Sequence, residues 1–288
     1  MADRKRKYDR AVFADDPGDQ RKRTVFPVPA VLLFAAVVVA GMLLRESAME
    51  TDFVRKNLPP CAGHLFGTDR MGRDMLARTL AGLSYSILLG LLSSAVSAGI
   101  ALFLAFLSSL GKAADAAVTW LTDLMMGVPH MILLVLISCA MGKGFAGVAA
   151  GVALTHWPGL CRLLRAEILQ QTESLWAGIA RKLGKSRWYI ARTHFLPHLL
   201  PQLLVGLTLQ FPHAVLHEAG ITFLGFGLPP DEPAIGIILS ESMAYLSTGK
   251  WWLALFPGLA LMLTVVFFER MGNALRAAVN PSEVHLVK

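Results

Sequence analysis

The sequence predicts an all-α membrane protein with six transmembrane helices, and three observations carry that prediction. Hydrophobic residues make up 55% of the 288-residue chain, charged residues only 16%, and mean hydropathy is +0.54, a balance far from that of soluble domains. Six apolar runs, at 27–44, 82–107, 116–140, 145–161, 202–226 and 251–268, approach or exceed the roughly 17–25 residues of a bilayer crossing. The basic residues alternate in side between them.

Net charge is +7, but its placement excludes a nucleic-acid surface. Most of the 27 Lys and Arg lie before residue 27, at Lys112, between Arg162 and Arg192, and after residue 269. These segments fall on one side if the spans alternate. The positive-inside rule then puts both termini and the 162–201 loop in the cytoplasm, with lipid as the surrounding partner. The opposite side holds Arg45 to Arg78, where bases mix with acids and make no strong field.

This divides the chain in order. Residues 1–26, with Arg4-Lys5-Arg6-Lys7 and Arg21-Lys22-Arg23 interleaved with Asp, read as a solvated cytoplasmic tail. The apolar run at 27–44 ends at Arg45-Glu46 with no small-residue cleavage site behind it, and so reads as an uncleaved first span. An extracytoplasmic segment follows at 45–81, then the membrane core at 82–280 and a short cytoplasmic tail at 281–288. Cys61, Cys139 and Cys161 are odd in number and far apart, which supports neither a disulfide framework nor a zinc pattern.

The loop at about 168–201 contains Trp176 to Pro201, a basic helix, a glycine and a second helix lodged between apolar spans. Leu175, Ile179, Ala180 and Leu183 recur at helical spacing and form an apolar stripe, with Arg181, Lys182, Lys185 and Arg187 toward water. Gly184 permits the turn, since glycine takes positive φ without strain. Trp188, Tyr189 and Phe195 are aromatic anchors of the kind enriched at protein contacts. The same amphipathic pattern also fits a helix lying on anionic lipid.

Four motifs bear a resemblance. The outer segment reads Phe66-Gly67-Thr68-Asp69-Arg70-Met71-Gly72-Arg73-Asp74, and the loop carries Gly184 ten residues before His194-Phe195-Leu196-Pro197. Phe223-Leu224-Gly225-Phe226-Gly227 and Met271-Gly272-Asn273-Ala274-Leu275-Arg276 follow. Over about residues 64–281 the chain resembles the second permease subunit of the dipeptide/oligopeptide/nickel family of ATP-binding-cassette importers. The resemblance implies the type I importer permease fold, with a cytoplasmic coupling helix that docks on an ATPase. It implies as partners a homologous permease subunit, two ATP-binding subunits and an extracytoplasmic substrate-binding protein. Coupling would fall to Trp176, Ile179, Ala180, Leu183, Gly184, His194 and Pro197. The segment usually written Glu-Ala-Ala in this family reads Gly178-Ile179-Ala180 here, so an acid is missing. No cofactor is expected in this chain: the P-loop pattern is absent, and ATP and Mg belong to the partner ATPase subunits.

Histidine raises the question of cargo. His213 and His217 sit at i and i+4 on one face of the fifth span, and the fourth adds His156 beside Trp157. Ionisable groups at membrane depth normally face the bundle interior or a water-filled path. His156, His213, His217, Glu218 and Asp123 are the candidates for a substrate path, and His213 with His217 for transient metal contact. Thr155-His156-Trp157 and the histidine pair resemble the nickel-chelate branch of the family. Glu218 and Asp123 match acids carried by the family generally. Nickel or a related transition metal carried as a chelate is therefore the expected cargo, a dipeptide or oligopeptide the alternative, and a self-contained ion-coupled transporter using Asp123, Glu218 and the histidines as a proton relay the alternative of another class. For the histidines themselves the alternative is hydrogen-bonded packing, and for Asp123 an interhelical ion pair. An intramembrane zinc protease is excluded, because H-E-x-x-H needs glutamate where Ala214 stands. The spacing recurs at His194 and His198, there read as structural, with Pro197 interrupting the helix. His130, after Pro129, reads as satisfying a carbonyl freed by the proline.

In the outer loop, Gly67, Thr68, Asp69, Gly72, Arg73 and Asp74 make a dense polar turn. It fits both docking of a substrate-delivering protein and an internal salt-bridged turn. Pro229 to Trp252 reads as a short external helix ending in an aromatic belt.

Overall fold

A computed structural model describes residues 27–279; the 1–26 and 281–288 tails lie outside the described residues. Among the described residues regular structure is helical. The helices are α1 (Pro27–Leu43), α2 (Arg45–Met49), α3 (Met75–Ser108), α4 (Lys112–Gly127), α5 (His130–Ala140), α6 (Gly144–Thr172), α7 (Leu175–Lys182), α8 (Arg187–Ile190), α9 (Leu196–Phe223), α10 (Ile235–Leu246) and α11 (Trp252–Val279).

Three described helical stretches are long and apolar enough to cross a membrane: α3, the run Arg187–Phe223, and α11. A fourth appears if α4 and α5 count as one span, but that pair is bent by 95°. The six expected runs therefore are not six equivalent rods. Described α1 has 17 residues, about 26 Å at the helical rise. In α6, the polar turns containing Arg162, Arg165 and Glu167 lower the apolar average of a 29-residue helix. The third run breaks at Val128-Pro129, because proline lacks an N–H and disfavours helical geometry in the residue before it.

The 34-residue α3 is the organising element. It starts at Met75, inside the stretch read as extracytoplasmic, because Asp74 caps it by accepting from the Leu76 and Ala77 amides. Small buried residues line its packed faces, among them Gly82, Ser86, Ser93, Ser94, Ser97, Ala98, Ala101 and Ala105. Lipid offers no hydrophobic drive between helices, so close approach through small residues supplies the packing. The same device joins α5 to α6. A Cβ at Gly147 would lie 2.8 Å from the Ser138 carbonyl oxygen, and one at Gly151 would lie 3.0 Å from that of Leu134. Large apolar side chains such as Phe103, Trp120, Met262 and Leu263 remain exposed, as suits a hydrocarbon-facing surface.

The loop between α2 and α3, expected on the outer side, is held by a buried charge network. Asp69 accepts from Arg73 Nε and from an Arg78 guanidinium nitrogen, both at 2.7 Å, and from the Met71 and Arg73 amides. Glu241 of α10 accepts from Arg73 at 3.1 Å and from Arg78 at 3.0 Å. Asp69, Arg73 and Arg78 are all less than 5% exposed. Gly72, at φ +77, has the Asp52 carbonyl where a side chain would go. Short α10 is thus tied down by charge as well as by Ile235 and Ile238 against the α9–α11 core.

Removing one partner from such a network strands buried charge, which costs about 3–5 kcal/mol. Arg78→Met is therefore expected to lower unfolding free energy by that amount in detergent denaturation titrations. A loss below about 1 kcal/mol, the worth of an exposed pair, would contradict the network's importance.

Candidate functional site

The bend between α4 and α5 builds the site. It opens a cavity of about 770 Å³ lined by the end of α4 (Met125 to Val128), Pro129 and His130, the α6 residues Thr155, His156 and Pro158, and the α9 residues Gly206, Gln210, His213 and His217. At Gly159 a Cβ would meet nothing within 4 Å, so the α6 wall is open there.

Three histidines from three helices meet there. The rings of His130 and His156 lie 4.6 Å apart, as do those of His130 and His217, and those of His156 and His217 lie 5.0 Å apart. His156 Nδ1 is 2.8 Å from the Val152 carbonyl oxygen, and its Nε2 is 2.9 Å from His217 Nδ1. A carbonyl only accepts, so His156 Nδ1 carries the proton and donates. His156 Nε2 then accepts from His217 Nδ1–H. The buried His130 Nε2 has no hydrogen-bond partner.

The structure places the residues of this face in different surroundings. His213 lines the cavity but is exposed and stands apart from the three-histidine group, which recruits His130 instead. The i,i+4 spacing identified the right face of α9 while saying nothing of what α5 brings to it. His130, expected to serve a free carbonyl, instead presents an unpartnered nitrogen. Glu218 does not line the cavity. One residue beyond His217 it is turned by about 100°, is fully buried, and accepts from the Thr222 hydroxyl at 3.1 Å. Asp123 pairs with Arg162 at 2.9 Å, both side chains more than half exposed, the interhelical pair that was its alternative reading.

The element expected in the cytoplasm, α7 and α8, forms as helix, glycine turn and helix. Ser174 caps α7 by accepting from the Ala177 amide. Gly184, at φ +73, ends it: the Lys185 amide donates to the Ala180 carbonyl and the Gly184 amide to the Arg181 carbonyl, the crossed pair of a glycine-terminated helix. Ala180 is not part of the outward stripe. With Ala177 it packs inward on the cluster of Leu164, Ile168, Ala191 and Phe195, since three residues return nearly to the same face. The outward apolar face is Leu175, Trp176, Ile179 and Leu183. Arg181 and Arg187 stay exposed, as expected, while donating to the carbonyls of Thr172 and Leu110. Trp188 packs edge-on against Phe106 at 5.1 Å. Pro197 does not interrupt the helix. A π-helical turn over Ala191–Phe195, containing half-buried His194, leads into α9 with the proline in its first turn, where a missing N–H is tolerated.

On the outer side, the network already described leaves Asp69 and Arg73 buried, with Thr68 fully buried beside them. Gly67, at φ +74, turns the chain under Trp252. Asp74 caps α3 and meets His64 Nδ1 at 2.7 Å. These groups are thus engaged within the fold.

A helical membrane protein with a cleft walled by broken helices and polar groups has the architecture of a permease. Residues 95–281 match the family described as "Binding-protein-dependent transport system inner membrane component", and the chain belongs to that family: it is a permease subunit of an ATP-binding-cassette importer, with ATP hydrolysis the work of partner subunits. It is 31% identical over 252 residues to the probable D,D-dipeptide transport system permease protein DdpC of Escherichia coli K12, covering 87% of this chain and 84% of that one. The dipeptide transport system permease protein DppC of Bacillus subtilis is 27% identical over 252 residues, covering 87% and 79%. A putative peptide permease of Brucella suis is 36% identical over 254 residues, covering 87% and 83%.

The two faces of α9 are open to direct test. With the three native cysteines replaced by serine, His213→Cys should react with a hydrophilic maleimide and Glu218→Cys should react on the order of tenfold more slowly. Equal rates would remove the distinction between cavity wall and core.

Proposed function

We propose that this chain is the second of two permease subunits in an importer for dipeptides or short peptides. It pairs with a homologous permease subunit across the cavity face. Two ATP-binding subunits, which hold ATP and Mg, sit below it, and an extracytoplasmic binding protein delivers cargo. In this reading the chain crosses the bacterial inner membrane six times with both termini in the cytoplasm, α1 and α6 making the spans that length or composition leaves short.

The observation that carries the cargo assignment is agreement between the relatives and the cavity. Relatives matching most of the chain are named as dipeptide and peptide permeases, and a space of about 770 Å³ lined by both polar and apolar groups falls in the range of small-ligand sites. Alternating access follows the nucleotide cycle: closure of the ATPase pair moves α7, and α9, continuous with the loop through the π-helical turn, transmits that motion to the cavity wall. The outward face of Trp176, Ile179 and Leu183 suits a groove on an ATPase, and Gly184 fixes its angle. A second reading is import of nickel or a related transition metal as a chelate, and the specific observation favouring it is the meeting of His130, His156 and His217.

The importer complex reconstituted in vesicles decides between cargoes. ATP-dependent uptake of labelled dipeptide, with no uptake of nickel or its chelates, is the outcome expected from the first reading; the reverse pattern establishes the second. Leu183→Glu, placed on the proposed ATPase contact, should reduce uptake by about 30-fold, the effect of losing an interface hot spot of about 2 kcal/mol, while the permease still inserts and folds. Uptake within twofold of wild type would remove α7 from the coupling role.

A further inference from the structure

We propose that His130, His156 and His217 form a binding site for a divalent transition-metal ion of the zinc, nickel and cobalt type, with its remaining coordination positions turned into the cavity for a chelating cargo. This rests on the importer reading and narrows it, since a peptide amine and its neighbouring carbonyl can complete the coordination of a metal held by three imidazoles.

The geometry is close to what a metal requires. One nitrogen from each of the three rings can be chosen so that all lie within 4.8 Å of one another. Metal–imidazole distances of about 2.0–2.1 Å in a tetrahedral arrangement set the nitrogens about 3.3 Å apart. The His156–His217 pair at 2.9 Å has to open by about 0.4 Å, and the wider separations have to close, both within reach of small side-chain rotations.

The protonation pattern also fits. Donation of His156 Nδ1–H to the Val152 carbonyl leaves its Nε2 lone pair aimed at the other rings, and a backbone acceptor of this kind commonly orients a metal-binding imidazole. When His217 coordinates through Nδ1 its proton passes by way of solvent to Nε2, so the ring is neutral before and after and no net proton is released. His130 Nε2, buried without a partner, is the vacancy a hydrogen-bonded packing arrangement would have filled. Among the described residues no carboxylate joins the group, and Glu218 points into the core beside Thr222. Three neutral nitrogens disfavour Mg²⁺ and Ca²⁺, which take oxygen ligands, and favour borderline ions. A site one or more ligands short of saturation is open and exchangeable, as a transport pathway needs.

The test uses the whole importer complex in nanodiscs, purified without a polyhistidine tag, with Co²⁺ as the probe. Visible absorption follows binding, and X-ray absorption counts imidazole ligands on the bound ion. Expected are saturable binding, three imidazoles on cobalt, at least tenfold weaker binding in His130→Ala, His156→Ala and His217→Ala, and binding within twofold of wild type in His198→Ala, which lies outside the cavity lining. Wild-type complex that binds no Co²⁺ saturably, an ion with two or fewer imidazoles, or wild-type affinity in His130→Ala would each overturn the site. The ligand count on wild type needs no variant to fold. Dipeptide uptake by the same complexes separates the two claims: uptake without Co²⁺ binding overturns the site alone, and Co²⁺ binding without ATP-driven uptake of any cargo overturns the importer reading alone.

Discussion

Hydrocarbon has no water to take up a loose backbone hydrogen bond, and each unsatisfied group there costs several kcal/mol. That constraint explains why the described chain is helical almost throughout and why its interruptions are confined to particular places. The break at Val128-Pro129 and the proline of α6 both border the cavity. The unwound turn at Leu224 to Gly227 is covered by α6, where the Gly144 amide donates to the Gly227 carbonyl, and by the Ser138 hydroxyl donating to Phe226. Irregular backbone is placed where protein or a polar space can receive it. The functional cavity is the outcome of that placement.

The two ends of the protein are secured by different means. At one end, Asp69, Arg73, Arg78 and Glu241 hold the α2–α3 loop and α10 together with charges largely removed from solvent. On the other side, Arg165 meets Asp115 and Thr119 across α4 and α6, while Arg181 and Arg187 tie the α7 element to neighbouring carbonyls. The outward apolar side chains of α7 take no part in these ties, so the element is fixed behind and open in front.

Much of the fold was legible in the sequence because lipid imposes simple rules. Long apolar runs located α3, α9 and α11, and Gly184 marked the end of the short α7 helix as turn chemistry requires; its Ser174 cap came only from the structure. Periodicity failed where the answer lay in another segment. His213 and His217 share a helix face, yet which of them meets a third histidine depends on how α5 leaves its bend. Glu218 looked like a path residue because it adjoins His217 in sequence, and one helical step turned it into the core. Ala180 fitted an outward stripe by spacing, but its small side chain is what allows α7 to sit close against Leu164 and Ile168. The useful signal for His130 was a proline in the middle of an apolar run with a histidine immediately after it, a break carrying a polar group. The family relationship extends this reading to the machine and stops short of the cargo.

The glycine contacts between α5 and α6 have a mechanical meaning. Gly151 meets the Leu134 backbone about one turn from the His130–His156 pair, so those two rings ride on helices interlocked at backbone distance. His217 rides on α9, the helix joined through the π-helical turn to the α7–α8 element. In the proposed metal site two ligands would belong to one jaw and the third to the other, so that sliding α9 against the α5–α6 pair would change the bite without unfolding anything. Grip on an ion held there would be geared to the position of a single helix.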